Sequence, residues 1–205
     1  MELSGILRDV TVIIGICIAI YNINSWRREH IGKRKIELAE DTLTLFYEAV
    51  DVIHYLRCPG GFTSETEDIK QMNGESEVGY QARKNASVLL KRYDEHQELF
   101  SRIHAMHYRF MVQIGKEEAK SFDELRKIII ELITSARRLS RLWAAPTSRT
   151  EEQWTKHQQD VEKYESIFWE DLTENDPINP RVEKVLLDIE RICHKIIKGK
   201  VTLHE

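Results

Sequence analysis

The chain has 205 residues, of which 41% are hydrophobic and 31% charged, with only 9 glycines and 4 prolines. This composition is typical of a helical globular domain of ordinary size and argues against a disordered chain. The formal net charge of −4 gives no general signal for nucleic-acid binding, and three cysteines without a CxxC pair indicate no disulfide framework.

The N-terminal region contains an apolar run, VTVIIGICIAIYNI, that extends from Val10 to Ile23. Extended to Trp26, the run spans about 25 Å as an α-helix, which is the short end of what can cross a hydrocarbon layer of about 30 Å. Ile6 and Leu7 can lengthen it if Arg8 extends towards the lipid headgroups. The pattern predicts a single-pass membrane anchor.

A basic segment follows the apolar run. WRREHIGKRK, residues 26–35, carries a net charge of +4, whereas residues 36–205 carry −7. We call its basic residues the collar: Arg27, Arg28, Lys33, Arg34 and Lys35. Positive charge after an apolar segment places the following region in the cytoplasm, so we expect the N-terminus outside. The collar is a candidate contact for anionic lipid, and nucleic acid is not an expected partner because the acidic remainder would repel it.

Two other interpretations of the apolar run remain open. A secretory signal peptide would need a positively charged start, which residues 1–9 lack, and would not be followed by basic residues. A buried or interfacial helix is favoured by the brevity of the run and by Asn22 and Asn24. With the anchor, the expected organisation is 1–26 tail and transmembrane anchor, 27–57 collar and first bundle helix, 58–79 exposed loop, 80–199 remaining bundle helices and 200–205 tail.

The first bundle helix is predicted to continue directly from the anchor. No proline or glycine lies between Lys33 and Cys58, and the helix should stop at CPGG, where Pro59 and two glycines follow. Its expected buried stripe is Leu38, Leu45, Phe46, Ala49, Val50, Ile53 and Leu56.

Helices two and three are predicted on either side of Gly115. Apolar residues at steps of three and four predict one helix from about Tyr80 to Ile114. Ser121 and Glu124 form a capping-box pattern, in which each side chain satisfies a free backbone amide, and open a third helix. Its expected core stripe is Phe122, Leu125, Ile129, Leu132, Ala136, Leu139 and Trp143.

Two further helices complete the predicted fold. Thr150 and Gln153 form a second capping box, and Trp154, Val161, Tyr164 and Phe168 should face inward after it. Asn179 and Pro180 are a suitable N-cap and first-turn pair for the last helix, which Gly199 closes. The expected fold is all-α: an N-terminal transmembrane helix continuing into a cytoplasmic antiparallel bundle of about five helices.

Histidines and carboxylates on two helices allow one weak metal-site hypothesis. The residues are His96, His104 and His107 on the second helix, with Asp51 and His54 on the first. Facing helices can bring such ligands together, but a di-iron bundle needs two Glu-x-x-His elements, and this chain has none. We therefore expect hydrogen-bonded polar residues there, and we predict no metal, no cofactor and no catalytic residue.

Three other features have alternative interpretations. Arg137, Arg138 and Arg141 predict either an internal ion-pair strip, the commoner case, or a docking surface for an acidic partner. Cys58 is either a reactive thiol or a plain loop cysteine. Trp169 is the tryptophan most expected at the surface.

The segment SWRREHIGKRKIELAEDTLTLFYEAVDVI resembles a loose group of uncharacterised bacterial proteins with a short N-terminal anchor, a WRRE-like collar and a helical continuation. The resemblance covers about the first sixty residues and implies a bacterial inner membrane. We expect a membrane-tethered helical interaction or regulatory module that binds a protein partner or itself, not an enzyme. The alternatives are a small membrane-acting effector or pore, in which Thr11, Gly15, Asn22 and Asn24 pack helices together, and a metal-binding bundle enzyme.

Overall fold

The computed structural model describes residues 2–60, 63–145, 150–171, 173 and 175–199, with the side chains of residues 2–12, 17, 63 and 64 left outside the description. The all-α prediction is confirmed: the described part contains six α-helices, one short 3-10 turn at Thr63–Thr66 and no strand. The helices are α1 Glu2–Arg57, α2 Glu77–Glu95, α3 Gln97–Gln113, α4 Lys120–Leu142, α5 Glu151–Phe168 and α6 Asn179–Lys198.

Helix α1 runs without interruption from the apolar run through the collar into the bundle. Its 56 residues extend about 84 Å at about 1.5 Å per residue. Among the side chains of α1 that the structure describes, Leu38 is the first that is buried, and the predicted stripe from Leu38 to Leu56 lies in the core, where Val50 is half-buried. The bundle therefore covers only the C-terminal part of α1.

The predicted helix from Tyr80 to Ile114 is wrong as a single element, because it breaks at His96. His96 has φ −109° and ψ 14°, outside helical geometry, and its ring lies edge-on to Tyr55 at 5.6 Å. Helix α2 packs mainly on α4, whereas α3 packs mainly on α1. The break changes the packing partner of the chain midway.

Helix α4 lies at the centre of the bundle, against α2, α5 and α6, and its predicted core stripe is buried except for the half-buried Trp143. The predicted capping box at its start is wrong. Ala119 is the N-cap, no side chain caps the helix, and Ser121 is buried in the first turn. Glu124 instead accepts a hydrogen bond from Arg181 of α6 at 2.9 Å.

The capping box that opens α5 is confirmed: the Thr150 hydroxyl accepts from the Gln153 amide, and the Gln153 side chain accepts from the Thr150 amide. The tryptophan predictions nearby are wrong. Trp154, expected inside, is exposed, while Trp169, expected at the surface, is half-buried edge-on to Phe168 at 4.4 Å.

Helix α6 begins differently from the prediction. Ile178 is the N-cap residue, and the carboxylate of Asp176 accepts hydrogen bonds from the amides of Ile178 and Asn179 at 2.8 and 2.7 Å. A carboxylate suits this position because the N-terminus of a helix carries partial positive charge. The side chain of Asn179 is used elsewhere: it accepts a hydrogen bond from Arg57 at 2.6 Å.

Two buried arginines bind the ends of helices. Arg57 donates to the carbonyls of Ser166, Ile167 and Trp169 at the end of α5, which satisfies acceptors that a helix end leaves free. Arg92 does the same at the end of α1, where it donates to the carbonyls of Tyr55, Cys58 and Gly60, and it also pairs with Glu65.

The connection between α1 and α2, expected as an exposed loop, is fixed to the bundle by ion pairs. Arg92 holds Glu65 at 2.8 Å, and Thr66 beside it is buried. Arg83 binds Glu75 at 2.7 Å, and this hydrogen bond lowers the pKa of Glu75 to about 2. The connection is therefore a tethered surface segment.

Candidate functional site

The longest run of exposed apolar side chains among the described residues is the stretch Ile13–Trp26 of α1, which we call the projecting segment. Its described side chains are all exposed, and the apolar ones point to every side of the helix at about 100° per residue. The large ones are 54–68% exposed: Ile13, Ile14, Ile16, Ile18, Ile20, Tyr21, Ile23 and Trp26. No part of the described bundle covers this surface.

In the described part of the chain, no helix is long and apolar enough to cross a membrane. The predicted anchor begins at Val10, so the side chains of its first residues and of Cys17 lie outside the description. The transmembrane span and the inner-membrane location therefore stay predictions.

The collar lies on α1 between the projecting segment and the bundle. Arg27, Arg28, Lys33 and Arg34 are exposed, and Lys35 is half-buried. Lys33 pairs with Glu29 at 2.9 Å, one turn away, on a surface where such a pair adds little stability. Most of the basic groups of the collar therefore face solvent.

The tertiary structure adds further cations to this end of the bundle. Arg57 contacts Asn179 and Tyr47 contacts Glu190, each at 2.6 Å, so α6 runs antiparallel to α1. Eight residues beyond Glu190, the exposed Lys198 lies level with the residues of α1 just after the collar. Lys195, one turn earlier, is also exposed. No local sequence pattern connects these cations with the collar, because they follow it by some 160 residues.

A groove separates α3 from α4, and we call it the α3–α4 groove. It arises where the chain changes at His96 from packing on α4 to packing on α1, so that α3 contacts α4 much less than α2 does. Its volume is about 430 Å³. The lining residues are mainly apolar: Tyr93, Gln97, Phe100, Ser101, Ile103, His104, His107, Phe122, Leu125, Arg126, Ile129, Ile130 and Ile133.

His107 forms one end of the groove. Its ring stacks on Phe122 with centroids 5.2 Å apart and an interplanar angle of 13°. Its Nε2 atom is buried and has no hydrogen-bond partner among the described residues, the nearest carboxylate oxygen being Oδ1 of Asp123 at 3.8 Å. A buried polar nitrogen without a partner is uncommon in folded proteins.

A row of arginines on α4 begins at the groove and extends beyond it along the helix. Arg126, Arg137 and Arg141 follow one face of α4 with Ile130 and Ile133, and we call these three arginines the arginine stripe. All three are exposed, and within the described part of the chain none forms an ion pair. Arg138, beside them, is likewise exposed. The prediction of an internal ion-pair strip is therefore wrong.

The carboxylates of α4 explain the charge of this face. Glu124 and Glu131 point towards α6, where Arg181 binds them at 2.9 and 2.6 Å. The hydrogen bond from Arg181 to Glu124 is the main cause that lowers the pKa of Glu124, so this carboxylate stays ionised. The negative charge of these two glutamates therefore lies on the α6 side of the helix, whereas the arginine stripe, preceded by the exposed Asp123, lies on another face.

The residues of the metal hypothesis occupy separate environments. The Nδ1 atom of His54 lies 2.6 Å from Glu170, His96 contacts Tyr55, and His104 lies on the surface beside Tyr108. Asp51 is exposed. Among the described residues, no group of three or more His, Cys, Asp or Glu side chains is placed to hold a metal ion.

The two cysteines whose side chains are described are both free thiols, one exposed and the other buried. Cys58 is exposed at the end of α1, and its carbonyl oxygen accepts from Arg92. Cys193 is buried in α6, and burial raises the pKa of its thiol to about 12, which suppresses the reactive thiolate.

Comparison of the chain with protein-family models, with curated proteins and with solved structures found no match. Function is therefore inferred from the projecting segment with its collar and from the α3–α4 groove.

Proposed function

We propose that this chain is a membrane-tethered helical interaction module of a bacterial inner membrane. The apolar start of α1 inserts into the bilayer with the N-terminus outside, the collar lies at the cytoplasmic headgroups, and the bundle faces the cytoplasm. Tethering raises the effective concentration of the bundle for partners at the same membrane. The bundle binds another protein or a second copy.

The exposure of the projecting segment carries this proposal. Burying an isoleucine side chain is worth about 1.5–3 kcal/mol relative to leaving it in water, and Ile13, Ile16 and Ile20 are each more than half exposed. A helix that is apolar on every side is normally buried in protein or in lipid. Lipid tolerates such a helix because its backbone groups are hydrogen-bonded internally.

The length of the proposed anchor requires residues before the projecting segment. Ile13–Trp26 alone spans about 20 Å, whereas a helix that starts near Ile6 reaches about 30 Å at Trp26. Arg8 and Asp9 then lie near the outer boundary, where charged groups reach water at low cost. Tyr21 and Trp26 lie towards the cytoplasmic interface, a position that aromatic residues prefer.

An interaction role is proposed for the bundle because of the surfaces that its folding leaves open. The α3–α4 groove exposes apolar side chains, and the arginine stripe beside it is not neutralised by the described part of the chain. Both features are typical of protein-binding surfaces.

Membrane fractionation of the full-length chain, expressed in bacteria with a C-terminal tag, tests the tether. We expect the protein to stay in the membrane pellet after alkaline carbonate extraction. We also expect protease to remove the tag in inverted vesicles but not in intact spheroplasts. The double variant Ile16→Asp/Ile20→Asp should shift the protein to the soluble fraction, because each aspartate at a helix centre costs about 2.5–3.5 kcal/mol in lipid.

The matched control is Leu187→Asp, which changes an equally exposed apolar residue on α6. This variant should remain in the membrane like the unmodified chain. Circular dichroism should show both variants folded, since the bundle begins to bury α1 only near Leu38. Release of the unmodified chain by carbonate, or loss of the tag from spheroplasts, would refute the proposed tether or its orientation.

A further inference from the structure

The α3–α4 groove has the shape of a helix-binding site. It lies between α3 and α4, which contact each other at His107 and Phe122, and its buried lining includes Ile103 and Ile129. Ile130 lies at the edge of the groove, and 53% of the surface of this residue is exposed. A further apolar helix laid against the groove would cover Ile130 and the half-buried Phe100 and Ile133, as in other helix-in-groove complexes.

The length of the surface distinguishes a helix from a small ligand. The arginine stripe extends from Arg126, which lines the groove, to Arg141, which is about 22 Å farther along α4. A small molecule could fill a cavity of about 430 Å³ but would not reach the distant arginine. A partner helix of about four turns would contact the whole stripe.

The charge of the surface specifies the partner further. The residues that line the groove include Arg126 and no carboxylate, and the stripe continues with Arg137 and Arg141. One carboxylate, Asp123, lies just outside the lining, 3.8 Å from Nε2 of His107, so the surface as a whole carries a net positive charge from its three arginines. The carboxylates Glu124 and Glu131 of the same helix are bound by Arg181 on the other side. A partner with acidic residues beside its apolar positions therefore has complementary charge.

We infer that the α3–α4 groove and the arginine stripe together bind an acidic amphipathic helix of another protein. Its apolar residues, spaced three and four apart, enter the groove, and its carboxylates pair with the stripe. This inference rests on the proposed interaction role of the bundle and adds the chemistry of the partner.

Site-specific photo-cross-linking in cells tests the inference on the full-length chain. The probe is p-benzoylphenylalanine, incorporated at Ile130 in one sample and at the equally accessible Leu187 of α6 in a second. After irradiation, the peptide attached at each position is sequenced by mass spectrometry. At Ile130 we expect a peptide of another protein, with net negative charge and apolar residues at helical spacing, and we expect no such adduct at Leu187.

Reversal of charge in the arginine stripe, with the yield of the adduct at Ile130 as the measurement, provides a second test. Arg126→Glu/Arg137→Glu should lower the yield of the adduct at Ile130 by roughly tenfold or more, because like charges then face each other. Lys156→Glu/Lys163→Glu on α5 makes the same change in net charge at exposed positions outside the groove and should leave the yield unchanged. Arg126→Gln/Arg137→Gln replaces the first pair if circular dichroism shows that it unfolds.

Three outcomes would overturn the inference: an adduct of the chain with itself, an adduct with a peptide that is not acidic, or no more adduct at Ile130 than at Leu187. Fractionation of the same cells tests separately whether the chain is bound to the membrane. An acidic-helix adduct on a soluble chain would refute the tether alone, and a membrane-bound chain without the adduct would refute the inference alone.

Discussion

Arg57 and Asp176 form a buried ion pair where α5 ends and α6 begins, with Nη2 2.7 Å from Oδ2 and Nη1 3.0 Å from Oδ1. Arg57 also donates to the last carbonyls of α5, and Asp176 accepts from the first amides of α6. Each charge therefore lies at the helix end whose partial charge is opposite. The pair joins α1, α5 and α6, and it holds the register that brings the end of α6 towards the collar.

Removing the charge of Asp176 should destabilise the bundle strongly. Asp176→Asn leaves the guanidinium of Arg57 buried without a counter-charge, which typically costs about 3–5 kcal/mol. Urea denaturation of detergent-solubilised full-length protein measures this loss. Asp188→Asn is the control: it breaks an exposed pair with Arg191 on the same helix and should cost less than about 1 kcal/mol. Equal midpoints for the two variants would contradict this expectation.

The contribution of Asp176 to the free energy of unfolding should depend on pH. Burial alone would raise the pKa of Asp176, but hydrogen bonds from Arg57 and from the amides of Asn179, Asp171 and Ile178 outweigh it and hold the pKa below its usual value. The unfolded chain, with an aspartate pKa of about 3.9, therefore binds this proton more readily than the folded chain. The stabilisation is complete above about pH 4 and is lost as the pH falls through the folded pKa.

Denaturation of the unmodified chain and of Asp176→Asn at several pH values measures this effect. The difference between their free energies of unfolding should shrink as the pH falls from about 6 towards 3. Glu75, whose pKa is lowered to about 2 by Arg83, is intact in both proteins and cancels from the difference. A difference that stays constant over this range would show that ionised Asp176 is not the stabilising species.

His107 should be replaceable by phenylalanine with a gain in stability. The buried Nε2 atom has no hydrogen-bond partner in the described part of the chain, and the ring already stacks on Phe122. His107→Phe keeps the stacking and removes a nitrogen that is desolvated without compensation, so we expect a gain of about 1 kcal/mol in unfolding free energy. His104→Phe, an exposed neighbour on α3, should change stability by less than about 0.5 kcal/mol. A loss of stability in His107→Phe would mean that Nε2 has a bound partner.

The α6 lysines should respond to anionic lipid if the chain is tethered as proposed. Lys195 and Lys198 are exposed at the end of the bundle that the collar adjoins, and a basic residue near an anionic surface gains about 1 kcal/mol. In vesicles that contain phosphatidylglycerol, acetylation of both lysines should be slower than in vesicles of phosphatidylcholine alone. Lys156 on α5 is the control and should react equally in both. High salt should remove the difference, and equal rates at low salt would exclude contact with the headgroups.

Local patterns in the sequence were sufficient where a feature depends on neighbours within one helix. The buried stripe from Leu38 to Leu56, the stop before Pro59 and the Thr150–Gln153 capping box are as predicted. Each of these features depends on a spacing of three or four residues or on a local hydrogen bond. All the residues involved therefore lie within one short segment of the sequence.

Local patterns failed where distant segments compete for the same groups. Ser121 and Glu124 match a capping box, but Arg181, some sixty residues away, binds the glutamate. Asn179 matches an N-cap pattern, but its side chain accepts a hydrogen bond from Arg57. The carboxylate of Asp176 accepts from the first amides of the helix instead. In both cases a buried or half-buried arginine from another helix offers a stronger, charge-assisted hydrogen bond than the local cap does.

Residue spacing alone was enough to predict that the chain is helical, which residues of α1 and α4 face the core, and that an apolar run precedes a basic collar. The break at His96 follows from packing between helices, because neither proline nor glycine marks it and it arises where the chain changes from packing on α4 to packing on α1. That change of partner opens the α3–α4 groove. The arginine stripe likewise became recognisable as unpaired only in the folded chain, where Arg181 of α6 binds Glu124 and Glu131 on another face of α4.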